Sequence, residues 1–195
     1  MASMALLRLS AEIGATSGAV STWAPTLCNP LPLSALFYRK PVFLLDKLRL
    51  DQRQLCDIQG RLFELARANG YDCPAFIEAF MNSDVARRMD STFDFLQWAG
   101  EEYLLEELDA EAGGLPRAGA TWGREPMYWT GYIYRLWHYL TGETSRDIYT
   151  IADAGTMGGA YLGMHVLDPP LAIENLKELA ALQLRAAPLL RSNRA

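Results

Sequence analysis

Cysteine is scarce in this chain, which holds three cysteines among 195 residues. Cys28, Cys56 and Cys73 are odd in number, form no CxxC pair and do not cluster with histidine. Such a set supports neither a disulfide framework nor a zinc finger. We therefore predict a protein of a reducing, cytoplasmic setting that binds no metal and no other cofactor.

Basic side chains are also few, and no stretch of the chain concentrates them. There are 18 lysines and arginines against 23 aspartates and glutamates, a formal net charge of −5. The first 45 residues hold three of the basic and one of the acidic side chains, so the remaining 150 residues carry 15 basic and 22 acidic ones. An acidic surface repels phosphate backbones. Nucleic acid is therefore disfavoured as a partner.

Sequence motifs that would name a reaction are missing. Neither phosphate-loop pattern, GxxxxGK[ST] or GxGxxG, occurs, and the two histidines, His138 and His165, belong to no HxxxH or HExxH pair. The ExxH pattern of di-metal helical bundles is missing too. No apolar run reaches the roughly 20 residues of a membrane-spanning helix. We predict no catalytic residue from motifs, and no membrane insertion.

The first 45 residues differ from the rest in composition. They are rich in Ala, Ser, Thr and Pro and nearly free of acidic residues. One interpretation is a targeting segment, because an acid-poor Ser/Ala composition with an arginine is typical of transit peptides. The apolar block of residues 4–7 is followed by Arg8 and then by Glu12, which weakens the secretory-signal alternative. Residues 1–45 are predicted to be a disordered or spurious extension from an upstream translation start.

Apolar residues recur with helical spacing from residue 46 onward. Ile58, Leu62 and Leu65 share one side of a helix that ends near Gly70. Similar spacing follows in later segments, and none of them alternates as a half-buried strand does. Residues that commonly begin or end helices stand between these segments: Asp72, Ser83, Gly142, Thr144 and Asp168.

The predicted fold is all-α, a compact bundle of about seven helices over residues 46–188. A Gly/Pro-rich loop over 111–123 divides it into helical halves, 46–110 and 124–188. In the first half, one predicted helix carries four apolar residues on one side: Trp98, Leu104, Leu105 and Leu108. In the second, a helix is predicted from Thr156 through Tyr161, although two glycines weaken it.

The stretch WTGYIYRLWHYL concentrates aromatics and a histidine in one predicted helix, residues 129–140. At 100° per residue, five side chains fall within one arc of about 100° and form a predicted core stripe: Trp129, Ile133, Leu136, Trp137 and Leu140. Tyr128, Tyr132 and Tyr139 gather beside this stripe and are candidate partner contacts. A helix aromatic on nearly every side is central to a bundle or to an interface, so homo-oligomerisation stays open.

A candidate ligand pocket combines three residues of this helix, Tyr132, Arg135 and His138, with Glu101. The functional interpretation is a ligand-binding or acid–base group, because imidazole exchanges protons near neutral pH. The alternative is packing, in which the polar tips of Tyr and His find partners. His138 points about 120° away from Tyr132 on the helix, so other elements would have to complete a site.

Acidic residues dominate the segment between residues 88 and 117, which holds eight of them and no base. Glu102, Glu106 and Asp109 share one helix face, suited to a cationic partner surface. Glu101 falls on the apolar side, where a carboxylate is expected to seek an arginine or a helix N-terminus. The alternative for the whole segment is a solvated acidic helix.

Two short predicted helices over residues 145–164 have the arrangement of a helix-turn-helix, with Gly155 in the turn. A recognition helix needs Arg, Lys, Asn or Gln to reach base edges, and the second helix, TMGGAYLGM, has none. Its small residues favour close packing in a bundle. A DNA-binding regulator therefore stands as the second alternative, behind a ligand-binding protein or enzyme.

Three stretches, FIEAFMNSDVARRMD, QWAGEEYLLEEL and MYWTGYIYRLWHYLTGETSRDIYTIADAGTMGGAYLGMHVLDPPLAIENL, resemble a group of small bacterial proteins from gut anaerobes. The resemblance covers roughly residues 46–180 and leaves the first 45 unmatched. Proteins of this group tend to occur with predicted toxin–antitoxin components, including ADP-ribosyltransferase-like toxins. The resemblance implies an antitoxin or accessory subunit whose acidic helix binds a toxin encoded nearby, and it transfers no catalytic motif.

Overall fold

The computed structural model describes residues 48–192, with side chains to residue 183, and it confirms an all-α fold. This part of the chain has no β-strand, and none of its helices is long and apolar enough to cross a membrane. The predictions for Cys28 and for residues 1–45 lie outside the described residues. The helices are α1 (Leu50–Ala68), α2 (Cys73–Asn82), α3 (Asp84–Met89), a 3-10 helix (Phe95–Trp98), α4 (Glu101–Glu111), α5 (Arg124–Thr141), α6 (Ser145–Ile151), α7 (Ala154–Met164) and α8 (Pro169–Ser192).

Helix ends lie where the sequence places capping residues. The side chains of Asp72, Ser83 and Thr144 accept hydrogen bonds, of 2.8, 3.0 and 3.2 Å, from backbone N–H groups in the first turns of α2, α3 and α6. Each bond satisfies an N–H that the helix itself leaves without a partner. Gly142 ends α5 with a φ of +75°, a conformation that glycine adopts without the steric cost of a Cβ.

The most extensive contact between two helices of the described chain joins α1 to α5. Two glycines lie where these helices meet. A Cβ on Gly131 would come within 2.5 Å of the Gln59 carbonyl oxygen, and one on Gly60 within 2.8 Å of the Tyr128 ring. The missing Cβ atoms thus allow the backbones to approach closely. Because α1 lies in the first predicted half and α5 in the second, both halves contribute to one core.

An aromatic cluster around Phe63 forms the centre of this core. The Phe63 ring packs edge-on against Phe76, Phe80 and Tyr134, with centroid distances of 5.1, 5.2 and 6.5 Å. Edge-to-face pairs are favourable beyond the area that they bury. The Tyr134 hydroxyl donates to the Ala152 carbonyl at 2.6 Å, so the cluster connects α1, α2, α5 and the end of α6.

The predicted core stripe of α5 accounts for only part of its buried surface. Met127, Gly131 and Tyr134, which the helical wheel places opposite the stripe, are buried as well. Trp129 and Leu140, inside the stripe, are only half-buried. The reason is that neighbouring helices pack on several sides of α5, including α1, α6, α7 and α8. The helix is central, as its aromatic composition indicates.

The position predicted for Trp98 is wrong. It was expected on the buried side of α4 with the leucines, but it lies in the separate 3-10 helix and its side chain is 44% exposed. Gly100, with a φ of +97°, interrupts the chain between the 3-10 helix and α4. This break changes the direction in which Trp98 points, so the periodicity of α4 does not extend back to it.

The turn between α6 and α7 also differs from the prediction. Asp153 caps α7 by accepting from the Thr156 N–H at 2.7 Å, so α7 begins at Ala154 and Gly155 lies inside the helix rather than in the turn. The helix runs on past Tyr161 to Met164. Gly158 and Gly159 lie in the middle of this helix. At Gly158 the missing Cβ allows the Trp122 ring to pack closely, since a Cβ there would lie 2.8 Å from that ring.

Candidate functional site

Arg135 is fully buried and sits at the meeting point of several helices. Its Nη1 donates to Asp90 Oδ1 at 2.7 Å and its Nε donates to Gln59 Oε1, also at 2.7 Å. Its Nη2 lies 3.4 Å from Ser145 Oγ. A buried charge needs a partner and hydrogen bonds to offset its lost hydration, and Arg135 has both. Its guanidinium is therefore engaged inside the protein and is not presented to a ligand.

Asp90 is the acceptor that this cluster shares. The Ser145 N–H donates to Oδ2 and the Ser145 hydroxyl to Oδ1, both at 2.7 Å. Its side chain is 10% exposed. Asp90 follows α3, while Ser145 begins α6 and Arg135 lies in α5, so one carboxylate joins three helices. Asp90 therefore has a structural role, which the sequence motifs did not indicate.

His138 lies at the edge of the same cluster, with its side chain 13% exposed. Its Nδ1 is 2.8 Å from the Glu143 carbonyl oxygen and 3.7 Å from Asp90 Oδ1. A carbonyl oxygen can only accept, so Nδ1 carries the hydrogen and Nε2 carries the lone pair of the neutral ring. The ring also lines a cavity of about 170 Å³, together with Asp51, Ser91 and other residues.

The pKa of His138 is lowered from 6.5, first by burial and then by the adjacent Arg135 guanidinium, while Asp90 and the Glu143 carbonyl oppose part of the effect. A lowered pKa means that the folded protein binds fewer protons than the unfolded chain as the pH falls below about 6.5. The part of the free energy of unfolding that depends on neutral His138 is therefore fully present above about pH 6.5. It is lost as the pH falls through the pKa that His138 has in the folded protein.

We therefore predict that the free energy of unfolding, measured in urea, falls between about pH 7.5 and about pH 5.5, and falls less in His138→Gln. Glutamine can still donate to the Glu143 carbonyl but does not titrate. Comparing the slopes of the free energy of unfolding against pH removes the contribution of the carboxylates, which both proteins share. His165→Gln, at an exposed position in the described chain, controls for the loss of a histidine. An unchanged slope in His138→Gln would contradict the assignment.

Glu101 does not join His138 in one pocket. Glu101 forms an ion pair with Arg61 at 2.6 Å, and it also lies in the first turn of α4. Either an arginine partner or a helix N-terminus was expected for this carboxylate. It lines a cavity of about 520 Å³ formed by α1, α4 and the start of α5. Tyr132 stacks on Tyr128 with a centroid distance of 6.2 Å and is half-buried. The structure thus brings Arg135 and His138 together and leaves Glu101 and Tyr132 elsewhere.

The three candidate partner tyrosines are half-buried rather than exposed. The Tyr128 hydroxyl donates to Asp57 Oδ1 of α1 at 2.7 Å, and burial with this bond raises its pKa well above 10. Burial raises the pKa of Tyr139 to about 12, against an opposing effect of Arg135. Helix α1 covers much of the face on which the sequence places Tyr128, so this face is largely internal.

Most of the acidic run is used inside the protein. Besides Asp90 and Glu101, Asp94 accepts two hydrogen bonds from Arg88, of 3.0 and 2.7 Å. Asp109 accepts from a backbone N–H after α4 at 2.8 Å, and Glu111 accepts from the first N–H of α3 at 2.6 Å. Of the predicted acidic face, Glu102 and Glu106 remain exposed, whereas Asp109 holds the chain at the end of α4.

Sequence analysis missed a strip of exposed aromatics, Phe93, Phe95 and Trp98. Their exposed fractions are 64%, 83% and 44%, and the Phe93 and Phe95 rings pack edge-on with a centroid distance of 5.3 Å. Phe95 and Trp98 are three residues apart in a 3-10 helix, so they lie on the same side of it. We call these three residues the aromatic strip. Within the 3-10 helix, Leu96 and Gln97 are buried between the exposed Phe95 and Trp98.

Neither cysteine of the described chain offers a reactive group. Cys56 and Cys73 are free and buried, and burial raises the pKa of Cys56 to about 12. A thiol with such a pKa is a poor nucleophile near neutral pH. Among the side chains that the structure describes, those of residues 48–183, no group of three or more His, Cys, Asp or Glu is placed to hold a metal ion.

Comparisons with protein-family models, with curated proteins and with solved structures find no match to this chain. The function is therefore inferred from the chemistry of its surfaces.

Proposed function

We propose that this protein is a protein-binding component, an antitoxin or accessory subunit, of a bacterial toxin–antitoxin-like system. The observation that supports binding is the aromatic strip, in which the exposed Phe93 and Phe95 rings pack on each other and exposed Trp98 lies on the same side of the 3-10 helix as Phe95. Single exposed apolar residues are common, but a contiguous exposed group marks an interaction site. Burying such rings in an interface contributes more binding energy than most other residues do.

The aromatic strip is held by a firmly connected turn. The Gln97 side chain is buried, and its Nε2 donates to the carbonyl oxygens of Ser91, at 2.9 Å, and of Met89, at 3.3 Å. Asp94 caps the 3-10 helix by accepting from the Leu96 N–H at 2.8 Å, and Arg88 fixes that carboxylate. Rings presented on such a turn lose little conformational freedom on binding, which favours affinity.

Acidic side chains follow the strip directly along the chain. Glu102 and Glu106 are exposed on α4, and Tyr103, 46% exposed, lies beside them. Their charge attracts a basic protein surface and suppresses association with acidic ones. The proposed surface therefore combines an apolar centre with an acidic border. Its acidic border, with the resemblance described above, supports a basic toxin as the partner.

The test is co-expression of the tagged protein with the product of the adjacent gene, followed by affinity purification and titration of the pair. Phe95→Ala/Trp98→Ala is expected to weaken binding by about tenfold or more. Leu162→Ala/Leu182→Ala removes two other exposed apolar side chains and serves as the matched control. Wild-type affinity in Phe95→Ala/Trp98→Ala, or no complex at all with the wild-type protein, would refute the proposal.

A further inference from the structure

The aromatic strip continues into a groove along α1. Trp98 lines a cavity of about 330 Å³ together with Asp57, Ile58 and Arg61 of that helix. Arg61 also lines the cavity of about 520 Å³ between α1, α4 and the start of α5. The two cavities therefore adjoin at Arg61, and the larger one lies within the range of roughly 300 to 1,000 Å³ that is typical of ligand sites. We call the two cavities together the α1 groove.

The charges in the larger cavity do not balance. Its two arginines are already engaged, because Arg61 pairs with Glu101 and Arg124 pairs with Glu64. Two further carboxylates line the same cavity. Among residues 48–183, whose side chains the structure describes, Glu102 and Glu125 have no ion pair. The cavity thus carries a local charge of −2 after its internal pairs are counted.

Both unpaired carboxylates are held at fixed places. Glu102 lies in the first turn of α4 and Glu125 in the first turn of α5, where the helix dipole stabilises a negative charge. Both side chains are exposed and are therefore accessible to a ligand. The cavity wall also includes apolar surface, from half-buried Leu65 and from Tyr128, that can contact an aliphatic chain.

We infer that the α1 groove and the aromatic strip together receive a basic segment of the partner protein, with an arginine side chain in the larger cavity and a neighbouring apolar residue on the strip. This inference rests on the proposed function, of which it specifies the partner chemistry. A guanidinium offers planar N–H groups that match carboxylates, and its aliphatic stem packs on apolar surface. Charge complementarity selects this occupant, since an anionic segment or a nucleic acid would face Glu102 and Glu125 directly.

The cavity can be tested on the full chain without a partner. The probe is N-acetyl-arginine N-methylamide, titrated at low salt while the backbone amide signals are followed by NMR. The matched probe is the citrulline derivative, which has nearly the same shape and no charge. The arginine probe is expected to shift signals of residues 102 and 125 saturably, and the citrulline probe is not. Equal shifts with both probes, or none with either, would overturn the inference.

Two double variants test which carboxylates bind the arginine probe. Glu102→Gln/Glu125→Gln removes both unpaired carboxylates with little change of shape and is expected to weaken arginine binding about three- to tenfold, as the loss of two exposed ion pairs implies. Glu174→Gln/Glu178→Gln removes the same charge from exposed positions of α8 that line neither the cavity nor the proposed partner surface. It is expected to retain most of the affinity. Equal weakening by both variants would mean that only net charge matters, and would overturn the assignment to the cavity.

The same variants separate this inference from the proposed function. If Glu102→Gln/Glu125→Gln binds the adjacent gene product as tightly as wild type while Phe95→Ala/Trp98→Ala does not, the protein binds that partner but the arginine assignment is wrong. If the arginine probe binds in the cavity and the adjacent gene product does not bind at all, the cavity assignment stands and the toxin–antitoxin proposal fails. A lysine derivative in place of arginine shows whether the site requires the planar guanidinium.

Discussion

Asp90→Ala is expected to lower the free energy of unfolding by about 3 to 5 kcal/mol, because it leaves the Arg135 guanidinium buried without its counter-charge. The Arg135 side chain is fully buried and Asp90 Oδ1 lies 2.7 Å from its Nη1. Breaking a buried pair costs far more than a surface pair is worth, since the remaining charge has lost its hydration. The loss of both Ser145 hydrogen bonds adds to the effect.

Urea unfolding of a double-mutant cycle measures this coupling. Arg135→Met replaces the charge with an apolar chain and is expected to cost less than Asp90→Ala, because Asp90 keeps its two hydrogen bonds from Ser145. Asp90→Ala/Arg135→Met is expected to be more stable than Asp90→Ala alone, since the unpaired charge is gone. A loss below about 1 kcal/mol for Asp90→Ala would show that this pair does not hold the helices together.

Gly131→Ala is expected to lower the free energy of unfolding by about 2 kcal/mol, although alanine favours a helix by up to about 1 kcal/mol over glycine. The added methyl group would lie 2.5 Å from the Gln59 carbonyl oxygen and 2.9 Å from the Phe63 ring. The first of these contacts is with backbone, which cannot rotate away. Overpacking a tight site costs up to about 3 kcal/mol, so the clash outweighs the gain in propensity.

Gly159→Ala is the matched control for this substitution. Gly159 also lies in a helix, but it is exposed, and a Cβ there would meet no atom within 4 Å. The same change is therefore expected to stabilise the protein by about 0.5 to 1 kcal/mol through helix propensity alone. Urea unfolding of both variants separates packing from propensity. Similar effects at the two positions would contradict the close approach of α1 and α5.

Helix ends and the all-α class follow from local chemistry, which explains why both could be predicted. Asp72, Ser83 and Thr144 each accept a hydrogen bond from an N–H group three residues away, and Gly142 needs only its own conformational freedom. None of these effects depends on a distant part of the chain. Periodic apolar residues indicate helices for the same reason, since neighbours three and four positions apart share a face.

The candidate pocket could not be predicted in the same way, because its residues depend on partners distant in sequence. Arg135 meets Asp90 across 45 positions and Gln59 across 76, and Glu101 meets Arg61 across 40. A helical wheel shows the side on which a residue points but not what lies there. The acidic run could be recognised in the sequence. Which of its carboxylates accept hydrogen bonds inside the protein, and which stay exposed, depends on the fold.

By itself, the sequence determined that this protein is helical and where most of its helices begin and end. These properties depend on composition and on bonds between near neighbours. Only the tertiary structure decided that Arg135 is internal, that the tyrosine face is largely covered by α1, and that Trp98 turns outward after Gly100. Burial and pairing arise where distant segments meet, and free energies of desolvation at those meeting points decide which polar groups remain for a partner.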